Sequence, residues 1–267
     1  MEEAPTPEAP AEADWRPPRG RVDLADGEVH IWRMPLTATD DEATALELLL
    51  SQAELARARA FRFARDRQRF VVAHGRLRCV LAAYTGQGPG QIEFRVEPHG
   101  KPELVPAAAR ARGLRFNMSH SHELALCAVT RARMVGVDVE RVQAGVDLMP
   151  MARRFFSARE LAELRALPAE QRPEGFFNCW TRKEAYVKAV GMGMSLALDQ
   201  FTVSLRPGEP ARLLNTPWDA AEPGGWTLCD LRPAAGHVAA LAVQGRGCRL
   251  VRWSATHSTA RPDPADV

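Results

Sequence analysis

What most constrains this chain is the order of its element types: strand, helices, then strands, followed by the same order again after about residue 133. Residues 29–34 (VHIWRM) alternate as a strand does. Hydrophobic spacing predicts helices over 40–50, 53–61 and 66–84; Thr39 and Asp40 are N-cap candidates for the first, and Gly86 stops the third. Strands are expected at 92–96, 115–118 and 124–130, with a turn at 98–102. The second half reads as a strand at 134–141, helices at 147–152, 158–167 and 176–190, and strands at 201–205, 226–231, 237–243 and 249–253. Gly191 and Gly193 end the last helix. A repeat by element type, not by letter, predicts an α+β fold of two similar lobes. The expected boundaries are a disordered tail over 1–20, an N-terminal lobe over 21–133, a C-terminal lobe over 134–255 and a second tail over 256–267.

Composition excludes several classes. At 267 residues, with 46% hydrophobic and 25% charged residues, the chain can bury a sizeable core and is neither mainly disordered nor fibrous. No apolar run approaches the roughly 18–20 residues that span a bilayer, and the acidic, Pro/Ala-rich start lacks the pattern of a signal peptide, so a cytoplasmic protein without a membrane partner is expected. A net charge of +2 does not imply nucleic acid. The five cysteines are far apart and never spaced as C-x-x-C, which argues against a disulfide framework or a structural zinc. Of 35 basic residues only three are lysines: Lys101, Lys183 and Lys188.

Four groups of residues could carry chemistry. In the strand GVDVE, Asp138 and Glu140 point to one face and Val137 and Val139 to the other. Two neighbouring carboxylates suit a hard divalent cation, or form a solvated strand face. On a helix, Trp180, Glu184 and Lys188 share one stripe; Glu184 could add a carboxylate or take a proton, and Lys188 could meet a phosphate, or the two form a surface ion pair. In Asn117-Met118-Ser119-His120-Ser121-His122, at the end of a strand, hydroxyls and an imidazole could hold an anion or be structural; no G-x-S-x-G elbow supports a serine hydrolase. Arginines 57, 59, 62, 65, 67, 69, 76 and 78 suit phosphate recognition, although Phe70 and Leu77 among them fit a packed helix face. Together the set suits metal-assisted handling of a diphosphate.

The motifs HGKP (99–102), FNMSHS (116–121), VGVDVE (135–140), RRFFSARE (153–160) and WTRKEAYVKAVGMGM (180–194) occur in this order. Over about residues 29–245 the chain thereby resembles the surfactin-type 4'-phosphopantetheinyl transferases. The resemblance implies two pseudo-symmetric α+β lobes with the active site in the cleft between them. It implies transfer of phosphopantetheine from coenzyme A, the co-substrate, to a serine of an acyl or peptidyl carrier protein, with Mg²⁺ or Mn²⁺ as metal and the enzyme acting as a monomer. Mapped by motif, Asp138, Glu140 and Glu184 take the metal positions, and Glu184 also that of the general base, directly or through a water. Lys188 takes the diphosphate-contacting and catalytic lysine, and Lys183 precedes Glu184 as the motif requires. Ser119 and His120 take the phosphate-binding pair, Lys101 the position near the adenine, and Arg57 and Arg69 basic positions for the 3'-phosphate, while Glu54 stands where some members have lysine. Competing readings are a non-catalytic coenzyme A-binding protein and a metal-dependent diphosphate hydrolase. A carrier-docking patch is expected around Leu148, Met149, Met151, Phe155 and Phe156, with core packing the better fit for the two phenylalanines.

Overall fold

The computed structural model describes residues 15–18, 22–105, 112–143 and 145–255. In the first lobe, β1 (Glu28–Pro35) is followed by α1 (Asp40–Glu47), α2 (Gln52–Arg59) and α3 (Ala64–Thr85). The short pair β2 (Phe94–Val96) and β3 (Pro102–Leu104) and the hairpin β4 (Leu114–Ser121) and β5 (Leu124–Arg131) come next. The second lobe runs β6 (Val135–Arg141), α4 (Met149–Phe155), α5 (Ala158–Ala166), α6 (Arg172–Val190), the short pair β7 (Thr202–Val203) and β8 (Leu213–Asn215), then β9 (Trp226–Leu231) and β10 (His237–Gln244). The repeat extends to strand order: β1-β5-β4 in one sheet, β6-β10-β9 in the other, every neighbour antiparallel. The lobes are thus an α+β pair of matching topology.

The last strand does not stay with its own lobe. β11 (Arg249–Ser254) pairs in parallel with β1 and completes the first sheet. Trp15, inside the segment expected as a tail, is buried, and Arg16 bridges to Trp253 of β11. Most of the two expected tails (1–14, 19–20 and 256–267) lies outside the described residues.

Local chemistry explains most element ends. Thr39 accepts the Glu42 N–H at the start of α1, and Ser51–Glu54 and Ser157–Glu160 form capping boxes at α2 and α5. Gly86 and Gly191, at φ +74° and +81°, close α3 and α6 in the left-handed conformation that glycine adopts without strain. α6 begins earlier than its periodicity predicts because Pro173 sits in its first turn, where a missing N–H costs nothing. The strand expected over 201–205 shrinks to two residues with an irregular register beside them, since the Ser204 hydroxyl bonds Pro210 and Arg212 across the loop. β3 forms partly within the expected turn, where Glu103 is buried and paired with Arg95 and Arg115.

Among the described residues two buried clusters lie under the first lobe's helices, one under the second's, and a fourth is shared by the two sheets: Ile31, Leu126 and Ala128 of the first with Val137, Val139 and Leu241 of the second. With its valines facing that shared core, β6 turns Gly136, Asp138 and Glu140 the other way. Gly136 lets α6 lie directly on the strand. A Cβ there would stand 2.1 Å from the Ala185 carbonyl oxygen and 2.4 Å from the Ala189 nitrogen.

In the first lobe His30 is buried within a polar network. Its Nδ1 lies 2.8 Å from the Tyr84 hydroxyl and accepts the Trp253 indole N–H, and its Nε2 lies 3.1 Å from Glu28. The Trp32 indole donates to the same Tyr84 hydroxyl. These bonds join β1, α3 and β11 around a neutral imidazole, whose pKa burial lowers to about 4.

Two outcomes follow from this packing. Gly136→Ala should lower unfolding free energy by about 3 kcal/mol or more, because backbone rather than a mobile side chain must move; an unchanged denaturation midpoint would show that α6 does not lie so close. Because the native state refuses the His30 proton that the unfolded chain accepts, stability should fall as pH drops from 6.5 towards 4, by up to about 3 kcal/mol from this group. Denaturant titrations across that range should show a shallower pH slope for His30→Gln; an equal slope would refute the assignment.

Candidate active site

The face of β6 that α6 covers carries the acidic residues. Asp138 is buried, and its Oδ1 accepts the Lys188 ammonium at 2.6 Å and the Ser119 hydroxyl at 2.8 Å. Lys188 also donates to the Ser119 Oγ at 3.0 Å, so the three groups close a ring. Asp138 Oδ2 is buried without a partner among the described residues. Glu140 accepts the Ser121 hydroxyl at 2.9 Å.

Electrostatically the three carboxylates belong to one site. Burial raises the pKa of Asp138, with Lys188 and Ser119 pulling it back. Burial and then the Asp138 charge raise Glu140, against the bonds from Ser121 and the Trp180 indole. Burial, then Asp138, raises Glu184, to which Glu140 adds. One ammonium serves three crowded acids. Among the described residues no three His, Cys, Asp or Glu side chains form a ready cage for a metal as they stand. The donors nonetheless fit a hard cation: all are oxygens, their mutual repulsion calls for positive charge, and one buried oxygen is unused.

Beside them opens a cleft of about 620 Å³ between the lobes. The 99–102 turn and Asn117 line it from the first lobe; Phe155, Trp180, Glu184 and Lys188 line it from the second.

The three lysines are distinguished by their donors. An ammonium has three N–H groups. Lys101 Nζ gives all of its three to backbone carbonyls, those of Val135, Lys188 and Ala189, so it caps the C-terminal end of α6 from the opposite lobe. Burial lowers its pKa to about 8. The residue nonetheless lines the cleft. Lys183 is fully buried, paired with Glu160 at 2.8 Å and bonded to the Leu198 and Phe201 carbonyls. Here it stands away from the cleft lining and ties α6 to α5. Lys188 alone keeps an uncommitted donor among the described residues, with its side chain 29% exposed.

The arginines divide similarly. Arg76 is committed to Glu42 and the Pro35 carbonyl, and Arg78 to Glu54 and the Ile92 carbonyl. Arg57 lies over the Phe70 ring, and Arg69 pairs with Glu123 at 3.3 Å. His120 is exposed, its pKa lowered by partial burial and then by the nearby His74, Lys188 and Arg57. Glu54 is itself engaged by its neighbours. Burial acts to raise its pKa, but bonds from His74, Arg78 and Ser51 outweigh it and hold the carboxyl at about 2. Its charge pins α2 to α3.

Sequence patterning does not single out His74, and it gives Ser121 only as one of the strand-end hydroxyls. His74 stacks on Phe70 one helical turn earlier, at 4.0 Å between centroids, and that i, i+4 spacing is the one signal that could have found it. Of the expected docking patch, Phe156 is buried, Leu148, Met149 and Phe155 pack half-buried against the second-lobe core, and Met151 is 40% exposed.

Comparison with known proteins agrees with this arrangement. Residues 134–242 match the 4'-phosphopantetheinyl transferase superfamily, and residues 36–132 match the N-terminal region described as 4'-phosphopantetheinyl transferase, N-terminal. The chain is 43% identical over 239 residues to the 4'-phosphopantetheinyl transferase HetI of a Nostoc species, covering 90% of this chain and 97% of that relative. It is 32% identical to a 4'-phosphopantetheinyl transferase of Bacillus subtilis over 64% of this chain and 73% of the relative. Likeness to the transferase Sfp of the same species is 31% over 55% of this chain and 62% of the relative. The chain belongs to the 4'-phosphopantetheinyl transferase family of enzymes, for which coenzyme A is the substrate and carrier proteins the acceptors.

If Lys183 is structural, Lys183→Met leaves the buried Glu160 carboxylate with only the Ser157 and Val203 N–H groups and should cost about 3–5 kcal/mol, while adding Glu160→Gln, which keeps an acceptor for those N–H groups and removes the charge, should recover part of the loss. Chemical denaturation reads both; a single variant as stable as the wild type would show the pair is not buried.

Proposed function

We propose that this chain transfers 4'-phosphopantetheine from coenzyme A to a serine hydroxyl of an apo acyl or peptidyl carrier protein, releasing adenosine 3',5'-bisphosphate, with Mg²⁺ as the metal and Mn²⁺ able to replace it. It does so as a cytoplasmic monomer of the surfactin type in architecture, both cleft walls coming from one chain. The observation that carries the reading is the placement of Lys188. It is the one lysine with a donor left for a ligand, beside Asp138 and at the wall of the cleft that Glu184 also lines.

In this reading Asp138, Glu140 and Glu184 hold the divalent cation, which neutralises charge on the diphosphate. The spare N–H of Lys188 meets the diphosphate oxygens, and in a partly dry cleft this charge counts for more than in water. His120, Arg57 and Arg69 hold the 3'-phosphate. The carrier serine oxygen attacks the β-phosphorus. The bond from that phosphorus to the bridging oxygen breaks, its electron pair leaves with adenosine 3',5'-bisphosphate, and Glu184 takes the serine proton. Glu184 does so directly or through a water that it orients. Met151 and the adjoining residues 148–149 meet the carrier.

Incubation of the full chain with coenzyme A, Mg²⁺ and a panel of apo-carriers, read by mass, tests this directly. One added phosphopantetheine per carrier is expected, and Asp138→Ala, Glu184→Gln and Lys188→Ala should each lose about 10²-fold or more in rate. Coenzyme A cleavage without gain on any carrier would instead mark a hydrolase, and binding with neither would mark a non-catalytic protein.

A further inference from the structure

The lobes meet along β4 and β6 through side chains. Asn117 Oδ1 accepts the Val137 N–H at 2.8 Å, Ser119 bonds Asp138, and Ser121 bonds Glu140, at positions i, i+2 and i+4 of β4. Asp138 has two anchors, whereas Glu140 is more exposed, longer and repelled by Asp138. Its natural response is to swing towards water. Ser121, itself buried, opposes this. Its oxygen accepts the Arg141 N–H at 3.2 Å, which fixes the hydroxyl against β6. The His122 Nδ1 lies 3.4 Å away, but a hydroxyl has one hydrogen, and the nearer, charged carboxylate takes it.

We propose that Ser121 is a positioning residue for the transfer reaction: from the opposite lobe it holds the Glu140 carboxylate beside Asp138 and Glu184, so that the three present one face to a divalent cation. This rests on the function proposed above. Outer-shell partners of this kind change metal affinity by roughly 10–100-fold without touching the ion.

The test is Mn²⁺ binding to the full chain with coenzyme A present, read by the electron paramagnetic resonance of free Mn²⁺, beside the Mg²⁺ dependence of transfer and the thermal midpoint. Ser121→Ala should bind Mn²⁺ about 10-fold more weakly and need correspondingly more Mg²⁺ for half-maximal rate, while keeping kcat at saturating Mg²⁺. Ser121→Thr, which restores a hydroxyl, should recover affinity. If Ser121→Ala loses its fold, Ser121→Cys, of similar volume but a poor donor, should show the same weakening with the midpoint retained. Wild-type affinity in Ser121→Ala, or loss of midpoint and activity together without recovery in Ser121→Thr and without weakening in folded Ser121→Cys, would overturn the proposal. Glu140→Ala separates the two levels. If it binds Mn²⁺ as the wild type does, the underlying metal reading fails; if it loses affinity while Ser121→Ala does not, only the positioning role fails.

Discussion

The arrangement depends on a seam where the edge of one sheet meets the edge of the other without a backbone ladder. Asn117, Ser119 and Ser121 reach from β4 to β6 and satisfy Val137, Asp138, Glu140 and Arg141. Short polar side chains suit such a seam, since each bridges the gap between edges and leaves little room for water. Because a strand alternates its faces, fixing β6 in this register sends its valines into the shared core and its carboxylates to the face that α6 covers. A slip by one residue would bury the acids in apolar surroundings, so core and site enforce the same register.

The second constraint is the approach of α6 to Gly136. Side-chain-free backbone there lets the helix rest on the strand, bringing Glu184 and Lys188 over Asp138. Two further lysines hold the helix in place. Lys101 caps its last turn from the other lobe, and Lys183 ties it to α5 and to the loop around residues 198–201. A buried ion pair brings little net stability over a hydrophobic pair, but it punishes misplacement severely, since either charge left alone is costly. That suits a helix whose position sets a catalytic geometry.

Much of this was legible in the sequence. Period-two alternation located Asp138 and Glu140, helical spacing put Glu184 and Lys188 on one stripe, and the doubled element order indicated matching lobes. What stayed hidden depends on contacts between distant segments. Nothing local in GKP or RKEA shows that Lys101 and Lys183 end on carbonyls and a buried glutamate, because residue type gives charge but not the number of donors already engaged. β11 reads as a strand, yet its choice of β1 over its own sheet is set by the His30–Tyr84–Trp253 network. Glu54, which looked like a defect in a basic subsite, proves to be a cap and a clamp only when Arg78 and His74 are seen on it.

The central claim is that acids from β6 and α6 gather one divalent cation on the diphosphate with Lys188 beside it. Anomalous diffraction from crystals grown with coenzyme A and Mn²⁺ tests this most directly. The account predicts a single manganese peak within coordination distance of Asp138, Glu140, Glu184 and the diphosphate oxygens, with the Lys188 ammonium touching the same diphosphate. Manganese bound elsewhere, or a Lys188 turned away from the nucleotide, would contradict it.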